Sequence, residues 1–582
     1  MLVVLVVALA GWLAYRGLAA RTQLTAARAD LTSARTALLD HRNDDAQVAI
    51  TRAGGHTARA AQLTGDPVFR GAAHVPWLGR SVYVARQVAL TANTVAGSLL
   101  PQALTIAKQL DPQQLRKADG SIDVPLLQQH APRLDALAAQ AAALDRATDR
   151  LPTTLVAPQI SKGRSDIAGQ LDKLAAALTG AARAVDLSPP LLGWDKPRRF
   201  FVLVQQTSES RGTGGLPGGF AVLEAAHGKL TVSAQGTDAD LRNGTIAVPQ
   251  GVPSDYVDLY KGNGAFSSWQ NVNLSPDLPV VAKVVAARWE LEHNQSIDGV
   301  IALDAIALAD ILRGSGPVDI GGGQSIAPEV LPDYLAIGQY RGFKAFDPQA
   351  ARKEKLTTVA RAATKRVTSG GGSSADLVRG LIDAVRSGHL RMASDDPALS
   401  RDLARAGVDG ALPSTGAPLA YPVVFNSSGG KLDYFLDRAV TYTAGGCGSA
   451  TRRTTITVDL TNNAPASGLP EYLRILTNNG HSVLTTDSAL TLSVYATKGA
   501  EFASATLDGQ PLSEAPTTPG GRFLSKGTES GRPLWYFFLE LPRAQTRHLV
   551  LHLDEPTTPG AAQVPEQPLA RPLTAKVDVP AC

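Results

Sequence analysis

The chain has 582 residues, a formal net charge of +4 and a hydrophobic content of 44%. A chain of this length is too long to fold around a single hydrophobic core. We therefore expect three or four domains at roughly 100–200 residues each. Because 56 basic residues nearly balance 52 acidic ones, the charge gives no support for a nucleic-acid partner. Only two cysteines are present, which excludes a zinc cluster, an iron–sulfur centre or a disulfide-dense scaffold.

Residues 1–15 (MLVVLVVALAGWLAY) form an uncharged apolar run that ends at Arg16. Continued through residue 20, the stretch is long enough to cross roughly 30 Å of hydrocarbon if Arg16 reaches the interface. We predict a single transmembrane anchor over residues 1–20. A cleavable signal peptide is the alternative, since Ala8-Leu9-Ala10 has the small-x-small form of a cleavage site. Both place the bulk of the chain outside the cytoplasm, and the anchor, the leading interpretation, places the protein at the cell membrane as a single-pass protein.

Cys447 and Cys582 fit that location, because disulfides persist in oxidising compartments. We predict that they pair, with two free thiols as the alternative. Such a bridge closes a loop of over a hundred residues and would stabilise the fold by roughly 4–5 kcal/mol.

Residues 21–190 are rich in Ala, Leu and Arg, with apolar residues at helical spacing. This pattern predicts a helical stalk of several antiparallel helices. Breaks are expected at Gly54-Gly55, Asp66-Pro67, residues 74–79, Asp111-Pro112 and Leu151-Pro152.

Strand and helix patterns then alternate, which predicts an α/β domain over residues 194–415. Strands are expected at residues 199–206, 220–224 and 299–303. Helices are expected at residues 280–293, 305–312, 328–335, 348–367 and 375–386, the last two joined by a flexible glycine-rich linker at residues 370–374.

Beyond residue 419 the apolar period changes to two, as in Ile456, Val458 and Leu460. Similar runs occur at residues 490–495, 534–541 and 548–553. This spacing predicts a β-sandwich of about seven strands over residues 419–582. The expected fold class is therefore α+β and multi-domain: anchor, helical stalk, α/β domain and β-sandwich.

The densest candidate motif is residues 209–219 (ESRGTGGLPGG), directly after a buried-looking strand. A glycine-rich backbone beside an arginine suits phosphate, so Arg211, Gly214 and Gly215 are candidate phosphate ligands. The motif is neither a P-loop nor a dinucleotide fingerprint, because no Gly-Lys-Ser/Thr ends it and a strand follows. A glycine-rich strand connection held by a pair between Glu209 and Arg211 is the alternative.

Two carboxylates one residue apart, Asp238 and Asp240, could share a divalent cation such as Mg²⁺, with Arg242 beside them. A solvated loop is the alternative for these residues. Less specific candidates are Asp277, Asp298, Asp304 and the pair Tyr340-Arg341. The absence of HExxH and GxSxG motifs and of a nucleophilic cysteine argues against a zinc hydrolase and the commonest acyl transferases.

Several motifs together resemble bacterial domain-of-unknown-function family 4012, in the actinobacterial type. They occur in the family's order at residues 200–206 (FFVLVQQ), 209–215 (ESRGTGG), 219–220 (GF), 228–230 (GKL), 273–279 (NLSPDLP), 297–304 (IDGVIALD) and 314–318 (GSGPV). The resemblance implies a membrane-anchored envelope protein associated with surface polysaccharide.

A looser similarity, an analogy of arrangement, reaches the LytR-CpsA-Psr phosphotransferases, which transfer glycans from a polyprenyl pyrophosphate. It implies that Arg211 clamps phosphate and that Asp238 and Asp240 hold Mg²⁺. The candidate catalytic residues are then Arg211, Glu209, Asp238 and Asp240, with Arg242 as a further phosphate contact.

The leading interpretation is a membrane-anchored extracytoplasmic envelope protein that assembles or binds cell-wall or lipid-linked glycan. The alternatives are a glycan phosphotransferase and an adhesion or partner-binding module carried by the sandwich. Convergence of Glu209, Arg211, Asp238 and Asp240 around a deep apolar pocket would favour the phosphotransferase.

Overall fold

The computed structural model describes residues 2–39, 42–76, 79–321, 323–345, 358–362, 364–365, 368, 374–478, 481–514 and 524–582. The chain divides into two compact units. The first comprises Met1–Ala118 and Ile122–Pro189, and the second comprises Asp119–Ser121 and Pro190–Cys582.

The first unit is helical, as predicted. Its helices are α1 Leu2–Leu39, α2 Asn43–Thr64, α3 Pro67–Ala72, α4 Arg80–Thr94, α5 Leu100–Gln109, α6 Pro112–Leu115, α7 Val124–Asp149 and α8 Pro158–Leu191, with a π-helical turn Val95–Leu99 between α4 and α5. Successive layers of buried alanines join α1, α2 and α4 with the π-helical turn that follows it: one layer contains Ala20, Ala60 and Ala89. The next contains Ala27, Ala53 and Ala96. From the first layer to the second, the residue numbers increase in α1 and along α4 into its following turn, and they decrease in α2. Helix α2 therefore runs antiparallel to both.

The predicted helix breaks are confirmed except for one. Asp66, for example, caps α3 by accepting a hydrogen bond from the Phe69 amide at 2.9 Å. The break at Gly54-Gly55 is wrong, because α2 continues through both glycines. A Cβ on Gly54 would lie 3.3 Å from the Ala96 carbonyl oxygen, so this glycine allows close helix packing. In the predicted turn at residues 74–79, Trp77 and Leu78 lie outside the described residues.

The transmembrane anchor predicted over residues 1–20 is not found. Within the described part of the chain, no helix is both long and apolar enough to span a bilayer. The side chains of residues 1–6 lie outside the described residues. The apolar side chains that are described, at residues 7–15, are followed at once by Arg16, and α1 continues as one helix to Leu39.

The second unit contains a five-stranded sheet in the order β3-β2-β1-β4-β7 and a separate β5-β6 hairpin. The strands are β1 Arg198–Arg211, β2 Gly214–Ala226, β3 Lys229–Thr237, β4 Gly299–Asp304, β5 Val318–Gly321, β6 Gln324–Ile326 and β7 Leu390–Ser394. Only β1 and β4 are parallel neighbours, and the other pairs are antiparallel. The sheet is therefore more mixed than the predicted α/β alternation, because the short connections around β2 allow only antiparallel hairpins.

The helices of this unit are α9 Ser254–Tyr260, α10 Leu278–His293, α11 Ala305–Leu312, α12 Leu331–Ala336, α13 Ser374–Arg386 and α14 Pro397–Ala406. They confirm the predicted helices at residues 280–293, 305–312 and 375–386. The helix predicted at residues 328–335 begins as a 3₁₀ turn, Pro328–Val330, before α12. The predicted helix at 348–367 and the linker at 370–374 lie mostly outside the described residues.

The C-terminal strands form two packed sheets. The strands are β8 Ala420–Asn426, β9 Leu436–Ala444, β10 Thr451–Asn462, β13 Ser488–Ala496, β14 Glu501–Leu507, β15 Gln510–Leu512, β16 Ser525–Glu529, β17 Arg532–Leu541, β18 Thr546–Pro556 and β19 Leu573–Asp578, and a hairpin of β11 Ile475–Asn478 and β12 His481–Leu484 lies apart. Their orders are β15-β14-β18-β10-β9-β19 and β16-β17-β13-β8. The described strands thus exceed the predicted seven, because the additional strands β14, β15, β16 and β19 lie toward the sheet edges, where apolar alternation is weak.

Strand β8 is buried along its whole length. Tyr421, Val423 and Phe425 belong to the core that covers one face of the five-stranded sheet. Ala420 and Val424 belong to the core of the sandwich. The regions predicted as two domains therefore share one continuous hydrophobic interior through β8.

A disulfide joins Cys447 to Cys582, as predicted, across 135 residues of sequence. It fastens the segment after β19 to the loop before β10. We expect the Cys447→Ser variant to lose about 5 kcal/mol of unfolding free energy, because the loop entropy of the unfolded chain is regained.

Urea unfolding of the oxidised protein and of the variant measures this loss. Reductant should reproduce it in the native protein and have no effect on the variant. An unchanged unfolding midpoint under reductant would contradict the expectation.

Candidate functional site

The glycine-rich motif is part of a tight hairpin rather than an open loop. β1 ends at Arg211 and β2 begins at Gly214. A Cβ on Gly212 would lie 2.2 Å from the Leu274 carbonyl oxygen, and a Cβ on Gly215 would lie 2.2 Å from the Gln206 carbonyl carbon. These glycines are needed because the protein's own backbone fills the space beside them, which leaves no phosphate cradle at Gly212 or Gly215.

A buried amide network closes the hairpin. The Gln205 side-chain oxygen accepts hydrogen bonds from Thr213 Oγ1 at 2.7 Å and Asn273 Nδ2 at 3.1 Å. Asn273 also donates to the Gly215 carbonyl at 2.9 Å. The NLSPDLP motif at residues 273–279 is thereby tied to the glycine-rich motif.

Arg211 is only 8% exposed and its guanidinium is engaged by the protein itself. Nε donates to the Gln270 carbonyl at 3.2 Å. Nη1 donates to the carbonyls of Ser210 at 2.9 Å and Asn426 at 3.3 Å. Nη2 lies 3.6 Å from a Glu209 oxygen. The predicted pairing of Glu209 with Arg211 is present, and most of the arginine's donors are used within the fold.

Lys431 completes this cluster by donating to the Glu209 carboxylate. Lys431 and Glu209 are each 7% exposed. Burial lowers the pKa of Lys431, but the Glu209 charge outweighs it and the pKa is raised above its ordinary value. Lys431 thus remains an ammonium group, with its nitrogen 5.8 Å from the Tyr472 ring centroid.

A second carboxylate, Asp433, lies beside the cluster. It is 2% exposed and accepts hydrogen bonds from the Ser210 amide at 2.8 Å and the Ser210 hydroxyl at 2.6 Å. Asn426 Nδ2 donates to its other oxygen at 3.0 Å. Burial raises the pKa of Asp433, against these donors. The end of β1 is therefore bound to the segment that follows β8.

Gln567 closes the same junction from the C-terminal part of the chain. Its amide nitrogen donates to the carbonyls of Arg211 at 2.7 Å and Val424 at 2.8 Å, and its oxygen accepts from the Val424 amide at 3.0 Å. Gln567 is fully buried. We define the junction cluster as Glu209, Arg211, Lys431, Asp433 and Gln567.

Asp238 and Asp240 have other roles. Asp240 is exposed, and one carboxylate oxygen accepts from the Thr237 amide at 2.8 Å and hydroxyl at 3.0 Å, which caps a 3₁₀ turn. Asp238 accepts from the Gln270 side chain at 3.0 Å. Among the described residues, no three His, Cys, Asp or Glu side chains are grouped so that they could hold a metal ion. A magnesium ion shared by Asp238 and Asp240 stays a prediction.

The remaining sequence candidates have structural contacts of their own. Arg242 is exposed, and its amide donates to Glu292 at 3.4 Å. Asp298 accepts from the Arg199 amide at 2.8 Å. Asp304 caps α11 and contacts His389. Tyr340 is buried and accepts a hydrogen bond from Gln206, whereas its neighbour Arg341 is exposed.

Sequence reasoning missed a second buried cluster, around Glu529. This carboxylate is 1% exposed and accepts hydrogen bonds from Ser275, Tyr260 and Tyr495, the Tyr260 bond being 2.8 Å long. Burial raises the pKa of Glu529 to about 7, against those hydroxyl donors. Burial likewise raises the pKa of Asp277 to about 6. Nothing in the sequence marks Glu529, which lies more than 250 residues from Ser275.

Two cavities lie elsewhere in the second unit. One, of about 440 Å³, lies against the outer face of the six-stranded sheet and is lined by Asp437, Asp459, Thr461 and Arg571, among others. The other, of about 580 Å³, lies beside β3. Neither is lined by Glu209, Arg211, Asp238 or Asp240.

Residues 195–340 match the model of a family described as a protein of unknown function, DUF4012. The match confirms the resemblance drawn from the motifs at residues 200–318, all of which lie inside it. A search of curated proteins finds none that matches this chain. Glu209 and Arg211 fall within the matched region, but their partners Lys431, Asp433 and Gln567 do not.

We expect the Arg211→Ala variant to lose about 3 kcal/mol of unfolding free energy, because three buried carbonyls lose their donor and Glu209 keeps only Lys431 as a counter-charge. Urea unfolding measures the loss. The matched control is Arg242→Ala, an exposed arginine whose removal should change stability by less than about 0.5 kcal/mol. Equal stability of the two variants would contradict a structural role for Arg211.

The Glu529 cluster predicts a pH-dependent stability. A raised folded-state pKa means that the folded protein binds this proton more tightly than the unfolded chain does. The folding stability that Glu529 contributes through this proton is therefore fully present below about pH 4.5, and it is lost as the pH rises toward about 7.

We expect the Glu529→Gln variant to gain about 3 kcal/mol of stability relative to the native protein between pH 4 and pH 8, because the amide never ionises. Unfolding free energies of both proteins across that range measure the difference. Parallel pH profiles would show that Glu529 ionises normally in the fold.

Proposed function

We propose that this protein is a membrane-attached, extracytoplasmic component of the cell envelope that takes part in surface-glycan assembly by binding glycan rather than by bond chemistry. The observation that supports the location is the Cys447–Cys582 disulfide, because such bonds persist in oxidising compartments. The apolar run at residues 1–15 supports the attachment.

The hydrogen bonds of the Arg211 guanidinium favour glycan binding over catalysis. A phosphate clamp requires guanidinium donors that point at the ligand. In this fold those donors are used by three backbone carbonyls and Glu209. Asp238 and Asp240 make separate contacts with Gln270 and Thr237. These contacts favour a structural role for Arg211 in the second unit over a role as a phosphate clamp.

The cavity on the sandwich offers a surface for glycan. Asp437 pairs with Arg571 at 2.7 Å and Asp459 contacts the His548 ring, but unlike Arg211 the Asp437 and Asp459 side chains remain 51% and 40% exposed. Thr461 and Thr574 line the same cavity. Carboxylate oxygens accept from sugar hydroxyls while guanidinium and hydroxyl groups donate to them, so this set matches the chemistry of a polyhydroxylated ligand.

Complementation of a strain that lacks the gene separates binding from catalysis. We expect Asp238→Asn/Asp240→Asn to restore the wild-type sugar composition of the wall, whereas Asp437→Asn/Asp459→Asn does not. Each pair removes two carboxylate charges, so the two variants are matched in chemistry. The phosphotransferase interpretation requires the opposite result.

Equal amounts of both variants in the membrane fraction are the control for expression and location. A native chain found in the cytosol with both thiols reduced would contradict the proposed location. Full complementation by the Asp437/Asp459 variant would contradict glycan binding at this cavity.

A further inference from the structure

One end of the helical unit gathers exposed apolar side chains. α1 enters the bundle at this end, where Trp12 Nε1 donates to Asp66 at 3.2 Å and Arg16 Nε lies 2.9 Å from the same carboxylate. The Arg16 guanidinium also lies over the Trp12 ring, 4.9 Å from its centroid. Asp66 thus fixes α1 to the start of α3.

The start of α4 and the loop before α8 contact each other at the same end. Arg80 donates to the Thr154 hydroxyl at 3.1 Å, and Ser81 accepts from the Ala157 amide at 2.9 Å. Behind these contacts, Val84 and Leu151 form a buried cluster against Leu24 of α1. Asp66, the start of α4 and the loop before α8 therefore lie at the end of the unit where Trp12 and Arg16 of α1 lie.

The apolar residues at this end are unusually exposed. Tyr15 is 65% exposed and Leu155 is 67% exposed, and Trp12, Val75 and Tyr83 are also exposed. Leu155 adopts a positive φ of 58° that a leucine rarely takes. Exposing clustered apolar side chains to water is unfavourable in free energy. Such a cluster indicates a surface that a membrane or another protein covers.

The side chains around the patch suit a lipid interface. Tryptophan and tyrosine concentrate at the headgroup level of membranes, where an apolar ring and a polar atom are both satisfied. Arg70 and His74 are exposed beside the patch. α1 begins at Leu2, so its apolar start extends about 15 Å beyond Trp12 at about 1.5 Å per residue.

We propose that this end of the helical unit, with Trp12, Tyr15, Val75, Tyr83 and Leu155 as its contact residues, docks on the headgroup layer of an anionic bilayer. The inference rests on the membrane attachment proposed above and adds a second contact to it. The apolar start of α1 enters the bilayer, and the N-terminal end of α4 and the loop before α8 lie on its surface. The attachment is then a broad platform that orients the bundle, rather than a flexible tether.

Site-directed spin labelling of the full chain tests this docking. A nitroxide is attached to Leu155→Cys or Tyr83→Cys, and the native disulfide leaves the new cysteine as the reactive thiol. The matched control is Leu38→Cys, an exposed leucine near the far end of α1, about 39 Å from Trp12 along the helix. The proteins are reconstituted into phosphatidylcholine–phosphatidylglycerol vesicles and isolated by flotation.

We expect the ratio of oxygen to nickel-complex collision rates to be several-fold higher at positions 155 and 83 than at position 38, because oxygen partitions into lipid and the polar complex does not. A protein that floats but shows equal ratios at the three positions would overturn the docking and leave the attachment intact. A protein that fails to float would overturn both. Burial of the labels in a lipid-free dimer, with no change on vesicles, would assign the patch to a second copy and overturn the lipid contact.

Discussion

The pairing of buried charges at the end of β1 is the interaction on which the second unit depends. Glu209 and Asp433 are acids, Arg211 and Lys431 are bases, and none is more than 8% exposed. Charged groups removed from water are tolerated only when they are paired and hydrogen-bonded. The family-matched region cannot satisfy this requirement alone, because Lys431 and Asp433 lie after β8. The five-stranded sheet and the sandwich must therefore come together for the motif to be satisfied.

In the Glu529 cluster, the cost of burying carboxylates is offset in a different way. Here the carboxylates of Glu529 and Asp277 are held by hydroxyl groups, from Ser275, Tyr260, Tyr495 and Ser530. Hydroxyl donors offset less of the cost of burying a charge than a cation does, so the proton is retained to higher pH. Because the pKa of Glu529 is raised to about 7, this contact between the sheet and the sandwich responds to pH near neutrality.

The sequence predicted the helices and strands more accurately than the tertiary contacts between them. Helices at residues 280–293 and 305–312 follow apolar periodicity, which reports the buried face of a helix directly. The break expected at Gly54-Gly55 failed because Gly54 packs against Ala96 and Gly97 in the π-helical turn after α4, and that contact is remote in sequence. The glycines at positions 212, 214 and 215 likewise indicated a ligand cradle. The space beside them is bordered by Leu274 and Ser275 at Gly212, by Pro568 and Gln205 at Gly214, and by Gln206 at Gly215. Secondary-structure propensity depends only on neighbouring residues. These two predictions failed because segments distant in sequence pack against the glycines.

The sequence by itself predicted the helical, the mixed α/β and the β-rich regions, the Cys447–Cys582 disulfide and the family resemblance, because these depend on periodicity, on a small number of candidates or on ordered motifs. Only the tertiary structure decided that the Arg211 guanidinium is buried against backbone carbonyls, and that the Glu209–Arg211 pair, one of two alternatives from the sequence, is formed. It also brought Lys431, Gln567 and Glu529 into contact with residues more than 200 positions away. Long-range contacts of this kind are set by how sheets pack, and a single sequence contains no local signal for them.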